Sequence, residues 1–123
     1  PTTALPTKAL RETASRESPM ITTVVQFHLA QPLSLDEAKR RFQSSAPKYR
    51  NLPGLVRKYY IRSEDGLTAG GVYFWDSREA AEKVYNGEWR AFVEKLYGTA
   101  PAIDWFESPV VVDNAASLDI APQ

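Results

Sequence analysis

At 123 residues, with 43% hydrophobic residues, the chain has the size and composition of one small domain. Lysines and arginines balance acids, 15 against 15, so no global field favours nucleic acid or an anionic membrane. The sequence holds no cysteine, which excludes disulfides, iron–sulfur clusters, thiolate zinc sites and a cysteine nucleophile within it.

No apolar run reaches the ~20 residues of a membrane helix, and the first residues lack the apolar stretch of a secretory signal. The expectation is a cytoplasmic protein with neither membrane nor nucleic acid as partner. Residues 1–19 are rich in Thr, Ser, Ala and Pro and poor in large apolar side chains. They read as a flexible leader, or as an arm that docks on a partner subunit. Patterned sequence then runs over 20–113, and 114–123 is a polar tail carrying Leu118 and Ile120.

Within the patterned region, Ile21 to Ala30 alternates β-branched and aromatic residues and predicts a strand that Pro32 ends. Ser34-Leu35-Asp36-Glu37 has the spacing of a capping box. The helix it opens carries Leu35, Ala38, Phe42 and Tyr49 near one face, with a kink or tightened turn expected at Pro47. After the turn at Asn51 to Gly54, Leu55 to Ser63 predicts a second strand. Glu64-Asp65-Gly66 predicts a hairpin connection, and Thr68 to Trp75 a third strand. Gly70 and Gly71 inside that strand predict a bulge or the close approach of another group. Asp76 to Glu79 caps the next helix, Asn86-Gly87 stops it, and Glu88 to Tyr97 forms a further short helix that ends at Gly98. Ala100 to Asp113 predicts a last strand, and Pro101 and Pro109 place it at an edge or make it bulged.

The order strand, helix, strand, strand, helix, strand is the split βαβ arrangement. The expected fold is α+β, a ferredoxin-like βαββαβ domain with a four-stranded antiparallel sheet. Helices cover one sheet face. The other carries too many large apolar residues to stay wet, and a second copy of the chain would cover it under two-fold symmetry.

Three segments carry a resemblance. Asn51-Leu52-Pro53-Gly54-Leu55 leads into an aromatic strand. Ala69-Gly70-Gly71-Val72-Tyr73-Phe74-Trp75 precedes a helix start containing Ala80 and Ala81. Gln26-Phe27-His28-Leu29 lies on the first strand. Together, over roughly Met20 to Asp113, they resemble the YdhR-type family of proposed monooxygenases within the dimeric α+β barrel superfamily. The resemblance implies a homodimer whose sheets pack face to face, with a pocket between each sheet and its helices. It also implies oxidation of a small aromatic or enolisable compound by O2 without metal, flavin or other cofactor. Other members of the superfamily bind ligands without turnover, so a non-catalytic small-molecule-binding or regulatory dimer stays open as the alternative.

His28 is the only histidine and the only side chain whose unperturbed pKa lies near neutrality. It is the expected general base, the plain alternative being a partly buried, hydrogen-bonded histidine. Tyr73, on the Gly-Gly strand, is the second expected catalytic residue. Tyr60 and Lys58 would hold substrate oxygen and its developing charge, with Arg62 on the same strand face. Trp75, Trp89 and Trp105 would wall a pocket for a flat aromatic ligand; the plain alternative is that these rings fill the core. One histidine cannot build a two-histidine-plus-carboxylate iron site, so no metal is expected. The element order is shared with RNA-recognition modules, but the basic and aromatic signature of that class is missing from Gly71-Val72-Tyr73-Phe74.

Overall fold

The computed structural model describes residues 20–117. The expectations placed on 1–19, and on Leu118 and Ile120, lie outside that range. Four strands, β1 (Ile21–His28), β2 (Leu55–Arg62), β3 (Thr68–Trp75) and β4 (Ala102–Glu107), form one sheet in the order β2-β3-β1-β4. Every pairing is antiparallel. Helices α1 (Leu35–Tyr49), α2 (Arg78–Val84) and α3 (Gly87–Tyr97) complete the ferredoxin-like α+β fold, and a 3-10 turn spans Asn114–Ser117. No helix among the described residues is long and apolar enough to cross a membrane.

Strand alternation divides the side chains between the two sheet faces. Ile21, Thr23, Val25 and Phe27 of β1 pair with Trp75, Tyr73, Gly71 and Ala69 of β3. All eight are buried. On the opposite face lie Thr22, Val24, Gln26 and His28 beside Phe74, Val72, Gly70 and Thr68. None of those four β1 side chains is buried.

The helices begin where short polar side chains take free backbone N–H groups. Ser34 Oγ accepts from Glu37 N at 3.1 Å, Ser77 Oγ from Ala80 N at 3.1 Å, and Asn86 Oδ1 from Trp89 N at 2.9 Å. Only the serine half of the Ser34–Glu37 capping box forms. The Glu37 carboxylate turns instead to Arg40 and Arg41, three and four residues further along the helix. Asn86 does more than stop α2: it caps α3, so the two helices abut. Gly98 ends α3 in the left-handed region at φ 76°, its N–H bonded to Glu94 O at 2.7 Å. Helix α1 continues through Pro47 to Tyr49, buried along Ala38, Ser45 and Tyr49. Leu35, expected inward, sits in the first turn and is 66% exposed.

The glycines of β3 meet the second of their two expectations, a close approach, and the last strand differs from its own. The irregularity lies in β2, between Leu55 and Arg57, and not at the glycines of β3. Gly70 instead allows a close approach: a Cβ there would lie 1.8 Å from the Val25 carbonyl oxygen. The last strand is also shorter than expected. It stops at Glu107 because Pro101 and Pro109, which cannot donate, bracket the paired stretch. Ser108 N still bonds Met20 O at 2.9 Å, and Val110, Val111 and Val112 then run on with no ladder, well exposed. The strand does lie at the sheet edge.

Candidate functional site

An aromatic cage around one lysine occupies the space between the sheet and α1. Lys58 on β2 pairs with Tyr73 on β3, so both project toward the helices. Tyr60, two residues along β2, joins them by alternation, and Tyr49 closes the cage from the last turn of α1. The Lys58 Nζ lies 3.4 Å from the ring centroid of Tyr49, 3.8 Å from that of Tyr60 and 4.5 Å from that of Tyr73. The missing side chain of Gly71 makes the room. A Cβ there would meet Lys58 Cε at 2.9 Å and Tyr73 Cε1 at 3.1 Å.

Burial dominates the electrostatics. It pushes the Lys58 amine down to about 6, because an ammonium loses its hydration among three rings. Among the described residues no carboxylate lines the space on either side of it. The tyrosines move the other way. Burial raises Tyr49, takes Tyr60 to about 12 and holds Tyr73 well above the ordinary phenol value. At neutral pH the cage therefore combines an uncharged amine with protonated phenols that can donate to an oxyanion. Tyr60 Oη lies 2.7 Å from Ser45 Oγ, and Trp89 Nε1 donates to Tyr49 Oη at 2.9 Å. These bonds fix two of the three rings.

Two spaces meet at the lysine. On the inner side is a void of about 10 Å³, room for one water, lined among others by Phe27, Ser45, Tyr73 and Tyr97. On the outer side an open groove of about 280 Å³ runs between the end of α1 and β2, past Arg50, Asn51, Leu55 and Arg57. Lys58, Tyr49 and Tyr60 line both.

The structure thus gathers Lys58, Tyr60 and Tyr73. Trp75 and Trp89 stand one layer back. Trp75 stacks on Tyr73 with centroids 5.8 Å apart and donates from Nε1 to Thr23 Oγ1 at 3.0 Å. Trp89 touches the cage through Tyr49 alone among the cage rings. Neither lines the cavities, so the expectation that they wall the pocket gives way to a supporting position in the core. Trp105 is farther still, edge-on to Tyr85 and beneath the Arg78 guanidinium at 4.2 Å.

His28 is not with them. It ends β1 on the opposite sheet face, exposed, with Nδ1 3.4 Å from Thr68 Oγ1. It lines a different open groove of about 530 Å³ with Gln31, Arg41, Tyr97 and Thr99. Its side chain thus projects from the face opposite the one that carries Tyr73, and it lines neither space that meets Lys58. Arg62 is also diverted: its Nε donates to Leu33 O at 2.6 Å.

Two contributors escaped the sequence reading. Tyr49 was seen only as part of an apolar helix face, and Ser45 was not singled out. The spacing of Phe42, Ser45 and Tyr49 along one helix face carries the signal, since that face meets Tyr60. Phe42 stacks on Tyr60 at 4.7 Å. Among the described residues no group of three His, Cys, Asp or Glu side chains is placed to hold a metal ion.

Comparison with known proteins places the fold. Its fold is shared with SnoaB, a cofactor-independent oxygenase from Streptomyces nogalater, at 16% identity, TM-score 0.59, covering 77% of this chain and 98% of that one. It is shared as well with the ActVA-Orf6 monooxygenase of Streptomyces coelicolor, solved with nanaomycin D (16% identity, TM-score 0.58, 77% and 91% covered). The NE2512 protein of Nitrosomonas europaea, of unknown function, matches at 16% identity and TM-score 0.61, with 80% and 97% covered. At such identities the likeness concerns the fold. No curated protein matches the sequence significantly. The family model described as "Putative mono-oxygenase ydhR" matches residues 23–100, more than half of the chain, and the chain belongs to that family.

Proposed function

We propose that this protein is a cofactor-independent monooxygenase that acts as a homodimer on a small aromatic or enolisable compound. The observation that carries the reading is the cage itself. Tyr60 keeps its proton beside an uncharged amine at the inner end of a groove with room for a compact ring, and Tyr73, also protonated, stands behind them on the inner void. Family membership and the fold shared with a cofactor-independent oxygenase support the same chemistry.

The substrate's carbonyl or phenol oxygen sits against the tyrosine hydroxyls. Loss of a proton leaves an electron-rich anion, which the hydroxyls stabilise by donating to its oxygen. The anion passes one electron to O2, and the resulting pair recombines as a hydroperoxide. Loss of water then leaves a new carbonyl. One oxygen atom enters the substrate and the other leaves as water, so a CH2 group becomes C=O with no outside reductant. Excluding water protects the radical pair, a task for the ring layers around Tyr49, Tyr73 and Trp75.

The uncovered face of the sheet supports the homodimer. Val24, Val72, Tyr59, Phe74 and Phe106 share it, with Tyr59 52% and Phe106 53% exposed. A two-fold partner would bury the same patch on both copies.

Oxygen consumption is the test, with chelator-treated protein and a panel of hydroxylated naphthalenes and anthrones. Uptake that matches substrate loss one to one supports the reading. Binding of the panel without uptake would leave a ligand-binding dimer in its place.

A further inference from the structure

The geometry points to Lys58 as the proton acceptor of the site, its ε-amine taking the acidic O–H or C–H proton of the substrate. This rests on the monooxygenase reading above and replaces His28 in the role expected from sequence. Lys58 stands at the junction of the inner void and the outer groove, where a ring entering from the groove would meet Nζ. The groups facing it are Tyr49 from α1, Tyr60 on its own strand and Tyr73 from β3, with Arg50 and Arg57 along the groove. None can act as the base. The phenols are held protonated, guanidinium groups stay charged, and no carboxylate among the described residues lines either cavity.

A lysine serves as a base only when its amine is free. Burial supplies that condition by holding Lys58 down at about 6. In the transfer the substrate O–H or C–H bond breaks, an N–H bond forms, and the electron pair stays on the substrate as phenolate or enolate. The ammonium produced then lies over three ring faces, which attract a cation, and beside the anion it has made. Ring faces that do little for a neutral amine thus act once the proton has moved. That is stabilisation of a charge that develops during the reaction.

The test uses 4-nitrophenol, whose phenol and phenolate forms absorb differently, mixed with excess protein at a pH below its own pKa. Wild-type protein should hold it as phenolate, with the ionised fraction about tenfold above that in Lys58→Met. Equal spectra in the two proteins would overturn the inference. If the probe does not bind, or Lys58→Met does not fold, wild-type protein decides by NMR of 13C-methylated lysines. A Lys58 signal titrating well below the other lysines supports the assignment, and one titrating with them overturns it. Oxygen uptake separates the two readings. Uptake unchanged in Lys58→Met would remove Lys58 as base and leave the monooxygenase standing. No uptake by wild type would remove the monooxygenase while the phenolate spectrum still reports on the proton.

Discussion

The two faces of one sheet are built from the same strands, yet they differ in kind. Beneath the helices, Val25, Phe27, Tyr73 and Trp75 are each at most 3% exposed, and the rings interlock through hydrogen bonds from Trp75 to Thr23 and from Trp89 to Tyr49. One position over, Val24, Val72 and Phe74 are only half-buried, and Tyr59 and Phe106 are open. The closed face can shift the pKa of a lysine, because burial removes water from it. The open face can shift nothing comparable until another surface covers it. The proposed function assigns chemistry to the first face and assembly to the second, and that division can be tested.

The largest effect should come from the seam between the faces. Gly70→Ala drives a methyl group into the Val25 carbonyl, which backbone pairing holds in place. A loss of more than about 4 kcal/mol is expected in denaturant unfolding, or no folded protein at all. A variant as stable as wild type would mean that β1 and β3 are not so close.

Next comes the closed face. Lys58→Met should lower oxygen uptake by about 10²–10⁴-fold, the usual worth of a general base. The same variant should melt higher at neutral pH, by about 1–2 kcal/mol of stability, because an apolar chain of similar length replaces an amine buried without a carboxylate partner. Falling activity with rising stability is a combination that a merely structural lysine would not give.

The third expectation concerns pH. An unfolded chain keeps the Lys58 proton up to the ordinary 10.5, whereas the folded chain gives it up above about 6. Between these values the unfolded state binds more protons, so stability rises with pH, by at most about 1.4 kcal/mol per pH unit. Above about pH 10 the sign reverses, because the folded state keeps Tyr60 and Tyr73 protonated after the unfolded chain has released those protons. Chemical denaturation across pH should show the rise in wild type and lose it in Lys58→Met.

On the open face, Phe106→Asp should weaken self-association at least about tenfold by analytical ultracentrifugation while far-UV circular dichroism stays unchanged, since a buried unpaired carboxylate is costly. A monomeric wild type would break the comparison at this point. The smallest effect is expected at His28. His28→Ala, at an exposed strand end, should stay within about 0.5 kcal/mol of wild-type stability, with oxygen uptake within about twofold. A loss near that of Lys58→Met would return the role of base to the histidine.

Much of the fold was legible because its signals are local. Alternation in Thr68–Trp75, the turn at Glu64-Asp65-Gly66 and the serine cap at Ser34 each act over a few residues, although the cap of α2 falls to Ser77 and not to Asp76. Strand ends were less legible. Pro109 sits inside a β-rich run, and only the sheet's own ladder shows that pairing stops at Glu107. The site was legible in part, since alternation alone puts Lys58 and Tyr60 on one face of β2. That Tyr73 joins them depends on the β2–β3 register, which an irregularity between Leu55 and Arg57 shifts.

By itself the sequence determined the order of elements, the assignment of alternate residues to opposite faces, and the absence of cysteine chemistry. These follow from short-range backbone preferences and from composition. Only the tertiary structure decided which of the two candidate bases lost its water. Lys58 and His28 each lie on a strand among aromatic residues, and by ordinary pKa the histidine is the better base. The packing of α1 against the sheet brings Tyr49 over Lys58 and removes its water, while His28 stays in solvent on the far side. Desolvation depends on neighbours distant in sequence, and that is why no local pattern could disclose it.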